Sequence, residues 1–193
     1  MSPTAEIGDG AGPRERLLAG AIEHVSQHGV GEISLRALAA ALGTSHRMLL
    51  YHFGSREALL IEVIRAVEEQ QRTALVTILR EEADAPPAEV MRRMWARVAD
   101  PALWPNERLF FEVYAQALQG SPHALPLLDG IVDAWVEPLA ALVAPGRPEE
   151  EARAEARLGV AVVRGLLLDL LATGDREAVD AAMERYIAAV APV

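Results

Sequence analysis

The chain of 193 residues contains no cysteine and no lysine, since all 18 of its basic residues are arginine. Without cysteine, the protein can form neither a disulfide framework nor a thiolate metal site, and it has no thiol nucleophile. Without lysine, it has no P-loop lysine, no Schiff-base lysine and no serine–lysine catalytic pair. Arginine makes bidentate contacts to phosphate and to guanine edges, although a GC-rich genome is a simpler cause of an all-arginine composition.

Long apolar runs are also missing. The longest nearly apolar segment, residues 158–172, contains Arg164 and Asp169 and is shorter than the roughly 20 residues of a membrane helix. The first dozen residues lack the basic start and apolar run of a signal peptide, and they predict a disordered lead-in over residues 1–12. These features together predict a cytoplasmic protein with no membrane partner.

Apolar residues recur at helical spacing almost throughout, without the alternation typical of strands, so the predicted class is all-α. The first helix runs from near Pro13 to Gly29, the second is capped by Ser34 and ends at Gly43, and the third ends at Gly54. A long fourth helix follows. These elements predict a helix-turn-helix head over residues 13–54.

The fourth helix is predicted from Ser55 to about Asp84, where two prolines follow. It joins the head to a larger helical body, which we assign to residues 55–193. Proline and glycine separate the later helical stretches of this body. The body helices are predicted at about 88–99, 106–119, 124–143, 149–173 and 176–190.

The formal net charge of −10 is unevenly distributed. Residues 1–60 carry 5 arginines against 6 acidic residues, whereas the remainder carries 13 against 22. Residues 33–56 contain three arginines and two histidines and no acidic residue. This pattern predicts a positive face on a negative body, which allows DNA to bind at one place.

The second and third helices are joined by three residues, Gly43 to Ser45, which is the spacing of a helix-turn-helix. In this motif the first helix braces the second, and the second enters the major groove by its N-terminal part. Leu49 and Phe53 are expected to point inward. The remaining side chains of the third helix then point largely outward, so core packing alone does not explain them.

The segment of residues 34–60, SLRALAAALGTSHRMLLYHFGSREALL, resembles the N-terminal DNA-binding region of the tetracycline-repressor family. Leu38, Gly43, the Tyr-His-Phe cluster at 51–53 and the following Gly-Ser-Arg-x-x-Leu-Leu carry the resemblance, which covers about residues 14–61. The family usually has tyrosine three residues before the phenylalanine. In this chain Leu50 occupies that position and the tyrosine comes one residue later.

The resemblance implies contacts to double-stranded DNA. Arg56, at the start of the fourth helix, matches the position of a basic residue that binds phosphate in the family. Tyr51 and His52 match backbone contacts, and Arg47 is our candidate for base reading, because arginine to guanine is the commonest specific contact. Packing and surface ion pairs are the simpler alternatives for single residues. The predicted DNA contacts are Arg36, Thr44, Ser45, His46, Arg47, Met48, Tyr51, His52 and Arg56.

Aromatic residues make up only 5% of the chain and concentrate in the middle of the body. Ligand pockets are mostly apolar with a few polar groups, although such an aromatic stripe is more often simple core. The resemblance favours a small-molecule site in this region. Its candidate residues are Met91, Met94, Trp95, Trp104, Phe110, Phe111, Tyr114 and Trp135, with Arg97, Glu112, Gln116 and His123 as nearby polar groups.

The last two helices predict a dimer interface. The helix at 149–173 is apolar on nearly every side between residues 158 and 172, more than packing within one chain requires. A homodimer also presents two recognition helices to a palindrome, whereas a thick monomer core is the alternative. The candidate dimerisation residues are Leu158, Val162, Leu166, Val179, Met183, Tyr186 and Ile187.

These features predict a ligand-responsive transcriptional regulator, a repressor released from a palindromic operator by a small-molecule effector. The alternative is a helical interaction module whose head does not bind DNA. An all-helical enzyme is disfavoured, because the sequence lacks Glu-x-x-His pairs and a Gly-x-Ser-x-Gly motif. We expect neither a metal nor another cofactor.

Overall fold

A computed structural model describes residues 12–28, 34–81, 85–143 and 146–191, and within these ranges it contains helices and no strands. The all-α class is therefore confirmed, and none of the helices in these ranges is long and apolar enough to cross a membrane. The predicted lead-in lies outside the described residues apart from Gly12. The helices are α1 (Pro13–His28), α2 (Leu35–Ala41), α3 (His46–Phe53), α4 (Arg56–Glu81), α5 (Pro87–Val98), α6 (Trp104–Leu118), α7 (Asp133–Val143), α8 (Glu149–Thr173) and α9 (Arg176–Val190).

Two serine caps define the helix-turn-helix. The Ser34 hydroxyl accepts the backbone N–H of Ala37 at 3.2 Å, and the Ser45 hydroxyl accepts that of Met48 at 3.2 Å. Such caps satisfy N–H groups that have no partner within the helix. Between them, Gly43 has a φ of +63°, a backbone conformation that favours glycine. The local sequence therefore sets both the start of each helix and the turn between them.

The three head helices do not close a core by themselves. Ala21, Leu38 and Leu49 are buried in the same apolar cluster as Ile64 of α4 and Leu109 of α6. A hydrogen bond of 2.8 Å from the Asn106 side-chain amide to the Ser26 hydroxyl also joins α6 to α1. The head is thus packed directly on the body as well as connected through α4.

Arg14 ties the first helix to the end of the third. Its Nη2 atom lies 2.5 and 2.6 Å from the two Glu62 carboxylate oxygens, and its Nε donates to the His52 carbonyl at 3.3 Å. The guanidinium also lies 5.1 Å from the centroid of the Phe53 ring. Because the pair is partly exposed, we assign these contacts mainly to orientation rather than to stability.

The body forms two further apolar clusters. One packs Trp95 of α5 against Leu170 of α8 and Met183 of α9, and the other packs α7 against α8. The Trp95 indole N–H donates to the Asp180 carboxylate at 2.6 Å, which satisfies the polar atom of a buried ring. These contacts hold α5, α7, α8 and α9 together beside α4 and α6.

The prediction of one helix over residues 124–143 is wrong. A 3₁₀ turn at Leu125–Leu128 is followed by irregular backbone, and α7 begins only at Asp133. Pro126 has no N–H to donate, and Gly130 has a φ of +69°, which no α-helix contains. The Pro126 carbonyl accepts a 2.5 Å hydrogen bond from Arg65 of α4, and the Ile131 carbonyl accepts one of 3.0 Å from Arg164 of α8.

Two other helix limits differ from prediction. The sixth helix begins at Trp104 rather than at 106, with Pro105 in its first turn, where a missing N–H costs nothing. The fourth helix is described as far as Glu81, and the predicted end near Asp84 lies outside the described residues.

Truncating Leu49 should test the shared core. Leu49 is 1% exposed, so Leu49→Ala should lower the free energy of unfolding by about 2–5 kcal/mol through lost burial and a residual cavity. Tyr51 is on the same helix but 79% exposed, so Tyr51→Ala should change the free energy of unfolding by less than about 0.5 kcal/mol. Urea unfolding of both variants provides the comparison, and equal losses would contradict the assigned orientation of α3.

Candidate nucleic-acid interface and internal cavity

The third helix presents four of its eight side chains to solvent. Leu49 and Phe53 are 1% and 6% exposed and anchor the helix, as expected. On the other side, Met48 is 41% and Tyr51 79% exposed, and Arg47 is exposed as well. A short helix with two buried anchors and an exposed face that carries Arg47 and Tyr51 is suited to contact another molecule.

The other predicted DNA contacts lie around this helix. Arg36 is exposed in the first turn of α2, whereas Thr44, His46 and Arg56 are half-buried. Ser45 is exposed, but its hydroxyl already caps α3. Because residues 34–56 contain no acidic side chain, the local charge is positive and favours a polyanion.

Tyr51 and His52 sit side by side at the end of the helix. Their ring centroids are 5.1 Å apart in an edge-to-face arrangement, and Leu50 beside them is 37% exposed. The His52 Nε2 atom is buried and has no hydrogen-bond partner within the described residues, while its carbonyl is bound by Arg14. Tyr51 is thus the ring that solvent and a docked molecule can reach.

A cavity of about 780 Å³ lies inside the body. Its walls are formed mainly by α4 to α9, and six of the eight residues predicted for a ligand site line it: Met91, Met94, Trp95, Phe110, Phe111 and Trp135. Trp104 and Tyr114 are placed elsewhere. The Trp104 indole donates to the Ala99 carbonyl at 3.3 Å, and Tyr114 stacks on Phe110 at 5.3 Å between ring centroids.

The polar groups of the cavity are not those suggested by the sequence. Arg97, Glu112, Gln116 and His123 are exposed, and the walls instead carry Glu68, Gln71, Glu107 and Arg164, among others. Helical spacing could have identified two of these residues, Glu68 and Gln71, from the sequence. Glu68 and Gln71 follow the buried Ile64 at i+4 and i+7, so both continue the apolar face of α4.

Glu68 and Glu107 form a buried acidic pair. The Glu68 carboxylate accepts the Trp135 indole N–H at 2.6 Å and lies 3.9 Å from Arg72. Burial raises the pKa of Glu68, against the opposing effects of Trp135, Arg164 and Arg72. Burial also raises the pKa of Glu107 to about 8, and the charge of Glu68 adds to this effect. At neutral pH, Glu107 therefore holds a proton.

Arg164 and Gln71 complete the polar wall. Arg164 donates to the Ile131 carbonyl, and its guanidinium lies 5.2 Å from the Phe110 ring centroid and 5.9 Å from that of Tyr114. The Gln71 side-chain oxygen is buried and has no hydrogen-bond partner in the described part of the chain. Buried polar atoms are normally paired, so this oxygen is a point where a ligand donor fits.

The predicted dimerisation residues fall into two groups. Val179, Met183 and Ile187 are 1–2% exposed and belong to the core of the chain itself. Val162, Leu166 and Tyr186 are half-buried, and Leu158 is 53% exposed. Leu168, which we did not predict, is 51% exposed on the same helix as Leu158. The outward face of α8 is thus distinct from the buried faces of α8 and α9.

Comparison with known proteins agrees with this architecture. The family model described as bacterial regulatory proteins, tetR family, matches residues 17–63. A transcriptional regulator from Rhodococcus sp. Rha1 is 21% identical, with 93% of this chain and 96% of that chain covered and a TM-score of 0.74. A TetR transcriptional regulator from Legionella pneumophila is 19% identical over 93% and 97% of the two chains, with a TM-score of 0.65.

A third solved structure, a protein from Saccharomonospora viridis in complex with choline, is 24% identical and has a TM-score of 0.65. That similarity covers 90% of this chain and 92% of the other. No curated protein matches the sequence significantly. The structural similarities, all under 25% identity here, establish the fold.

The fold and the exposed third helix define a helix-turn-helix protein with a helical body. Residues 17–63 match the model of the tetR family of bacterial regulatory proteins, which confirms the resemblance seen in the sequence. This segment runs from α1 to the first turns of α4, and the whole chain shares its fold with solved proteins such as the transcriptional regulator from Rhodococcus sp. Rha1.

The buried acidic pair should give stability a distinct pH dependence. Unfolded Glu107 titrates near 4.5 and the folded form near 8, so between these values the folded state holds an extra proton. The free energy of unfolding should therefore fall as pH rises from about 5 to about 8. Glu107→Gln has no titrating proton at this position. We expect its free energy of unfolding to exceed that of the wild type by about 2 kcal/mol or more near pH 8 but not near pH 5.

Urea unfolding of both proteins across this pH range measures the difference. Glu112→Gln, an exposed substitution of the same kind on α6, should leave the wild-type profile unchanged. Parallel profiles for the wild type and Glu107→Gln would refute the assignment.

Proposed function

We propose that the protein is a dimeric repressor that binds a palindromic operator through its two heads and is released by a small-molecule effector bound in the body. The observation that carries this proposal is the position of α6. This helix lines the cavity through Phe110 and packs in the core of the head through Leu109. One helix therefore contacts both the effector site and the DNA-binding unit.

In the proposed complex, α3 lies in the major groove. Arg47 reads a base edge, with His46 and Met48 beside it, while Tyr51 contacts the DNA backbone. Arg36 contacts the backbone from the start of α2. Arg56 and His52 contribute from the junction of α3 and α4, and Thr44 and Ser45 place the backbone of the turn close to phosphate.

The cavity is of suitable size for an effector. Pockets for small molecules typically measure about 300–1,000 Å³ and combine apolar walls with a few polar groups, and the volume of about 780 Å³ falls within this range. The choline complex of the similar Saccharomonospora viridis protein supports ligand binding in proteins with this fold.

Release from DNA requires that the effector prefer one arrangement of the helices. A ligand shifts an equilibrium only as far as it binds one state better than the other. Glu107 and Asn106 are adjacent in α6, and Asn106 holds the Ser26 hydroxyl of α1. We propose that ligand contacts at Glu107 shift this end of α6 and thereby change the separation of the two heads.

Dimerisation is assigned to the outward face of α8. Exposed residues recur there at intervals of three and four, an arrangement typical of paired helices, and they include small residues that allow close approach. They are Leu158, Ala161, Gly165, Leu168 and Ala172. Val162, Leu166 and Tyr186 border this face, whereas Val179, Met183 and Ile187 support it from within the chain.

Operator binding is tested by a gel-shift titration with DNA from upstream of the gene. Arg47→Ala should weaken specific binding about tenfold or more, because a bidentate base contact is worth about 1–3 kcal/mol. Arg97→Ala, an exposed arginine on α5, should bind as the wild type does. Specific binding should also weaken steeply with salt as counterions are released.

The same titration separates the alternative function. A helical interaction module would show no preference for palindromic DNA and no steep salt dependence. If Arg47→Ala binds the operator as tightly as the wild type does, the assignment of α3 as the helix that reads the bases is contradicted.

Dimerisation is tested by charge at the outward face of α8. Leu158→Glu combined with Leu168→Glu should convert the dimer to a monomer, since two exposed leucines would become carboxylates facing their symmetry mates. Sedimentation equilibrium measures the mass. The exposed Leu118→Glu on α6 is the matched control, and a dimer that survives the double substitution would place the interface elsewhere.

A further inference from the structure

Three buried side chains of the cavity carry oxygen atoms that can accept hydrogen bonds. Glu68, Gln71 and Glu107 line it, and they are 8%, 7% and 7% exposed. Two are carboxyl groups, and the third has a side-chain oxygen without a hydrogen-bond partner within the described residues. All three come from α4 and α6. A ligand that supplies donors or positive charge at this wall would satisfy groups that the protein leaves incompletely paired.

The basic groups nearby are engaged in other contacts. Arg72 of α4 lies 2.5 Å from Glu69 and 3.9 Å from Glu68. Arg164 of α8 donates to the Ile131 carbonyl and lies over two aromatic rings. Arg147, which also lines the cavity, pairs with Glu155.

The remaining titratable group of the wall is Tyr186 of α9, whose pKa is raised by burial and by Glu155. It is therefore neutral near pH 7. No cation of the described wall thus binds Glu107 directly, since Arg164 acts on it only through the electrostatic field.

Apolar surface surrounds this acidic wall. The rings of Phe110, Phe111 and Trp135 and the side chains of Met91 and Met94 line the same cavity. Aromatic faces attract organic cations, most strongly where water is excluded. The walls therefore match a molecule with a positive charge at one end and apolar substituents around it.

We propose that the effector of this protein is an organic cation, whose positive charge lies at the Glu68, Gln71 and Glu107 wall and whose apolar part packs on the aromatic rings. This inference rests on the proposal that the cavity is the effector site. Binding of a permanent cation favours the carboxylate form of Glu107, so the proton of that carboxyl group passes to solvent. The net charge of the site changes little, which limits the cost of burying the ligand charge.

The first test compares phenyltrimethylammonium with tert-butylbenzene, which has the same shape without the charge. Titration calorimetry of the protein without DNA should show the cation binding at least about tenfold more tightly, as expected for a desolvated charge facing carboxylates. Its affinity should rise with pH towards about 8 and then level off, because Glu107 must lose its proton. Calorimetry in buffers of different ionisation enthalpy should detect the released proton.

Variants distinguish charge recognition from general apolar binding. Glu107→Gln should lose most of the preference for the cation and the pH dependence, while retaining the affinity for tert-butylbenzene. Glu68→Gln should also reduce the preference. Glu112→Gln on the exposed face of α6 should behave as the wild type does, and magnesium chloride should not compete with the organic cation.

Three results would overturn the proposal: equal affinity for the two isosteres, a full cation preference in both Glu107→Gln and Glu68→Gln, or no binding of phenyltrimethylammonium, tetraethylammonium and benzyltriethylammonium. The gel shift separates this inference from the regulatory function. Cation binding that leaves the operator complex intact contradicts effector-driven release and supports the ligand class. Release of the operator by neutral compounds but not by cations supports effector-driven release and contradicts the proposed ligand class.

Discussion

The burial of apolar surface shared between the head and α6 is the constraint on which this structure depends. The helices that carry Leu38 and Leu49 bury these side chains against α4 and α6 as well as against each other. A head of this size has little core of its own, and the surface provided by the body completes it. The orientation of α3 is consequently set by packing that also involves the wall of the cavity.

The head was predictable because its determinants are local. Ser34 and Ser45 cap helices, Gly43 forms the turn, and the spacing of Leu49 and Phe53 fixes which side of α3 is inward. The body was less predictable, since the same apolar spacing that identifies its helices does not distinguish an outward face from the core. Met183 and Ile187 match a helical stripe yet serve the chain's own core, whereas Leu168 is exposed.

The polar wall of the cavity was missed for a related physical reason. Glu68 and Glu107 occupy buried positions that helical periodicity assigns to apolar residues, and their cost can be judged only when their partners are known. The indole of Trp135, 67 positions away from Glu68 in the chain, supplies one such partner. Long-range pairs of this kind determine protonation and charge in the cavity, and no local pattern in the sequence contains them.

The interruption before α7 has a mechanical consequence. In a continuous helix, the carbonyls of Pro126 and Ile131 would have been occupied by hydrogen bonds along the helix axis. Breaking the helix frees them to hold Arg65 of α4 and Arg164 of α8. The segment before α7 thus couples α4, which enters the head, to α8, which carries the outward face. Displacement of either helix would strain these hydrogen bonds and act on the other helix.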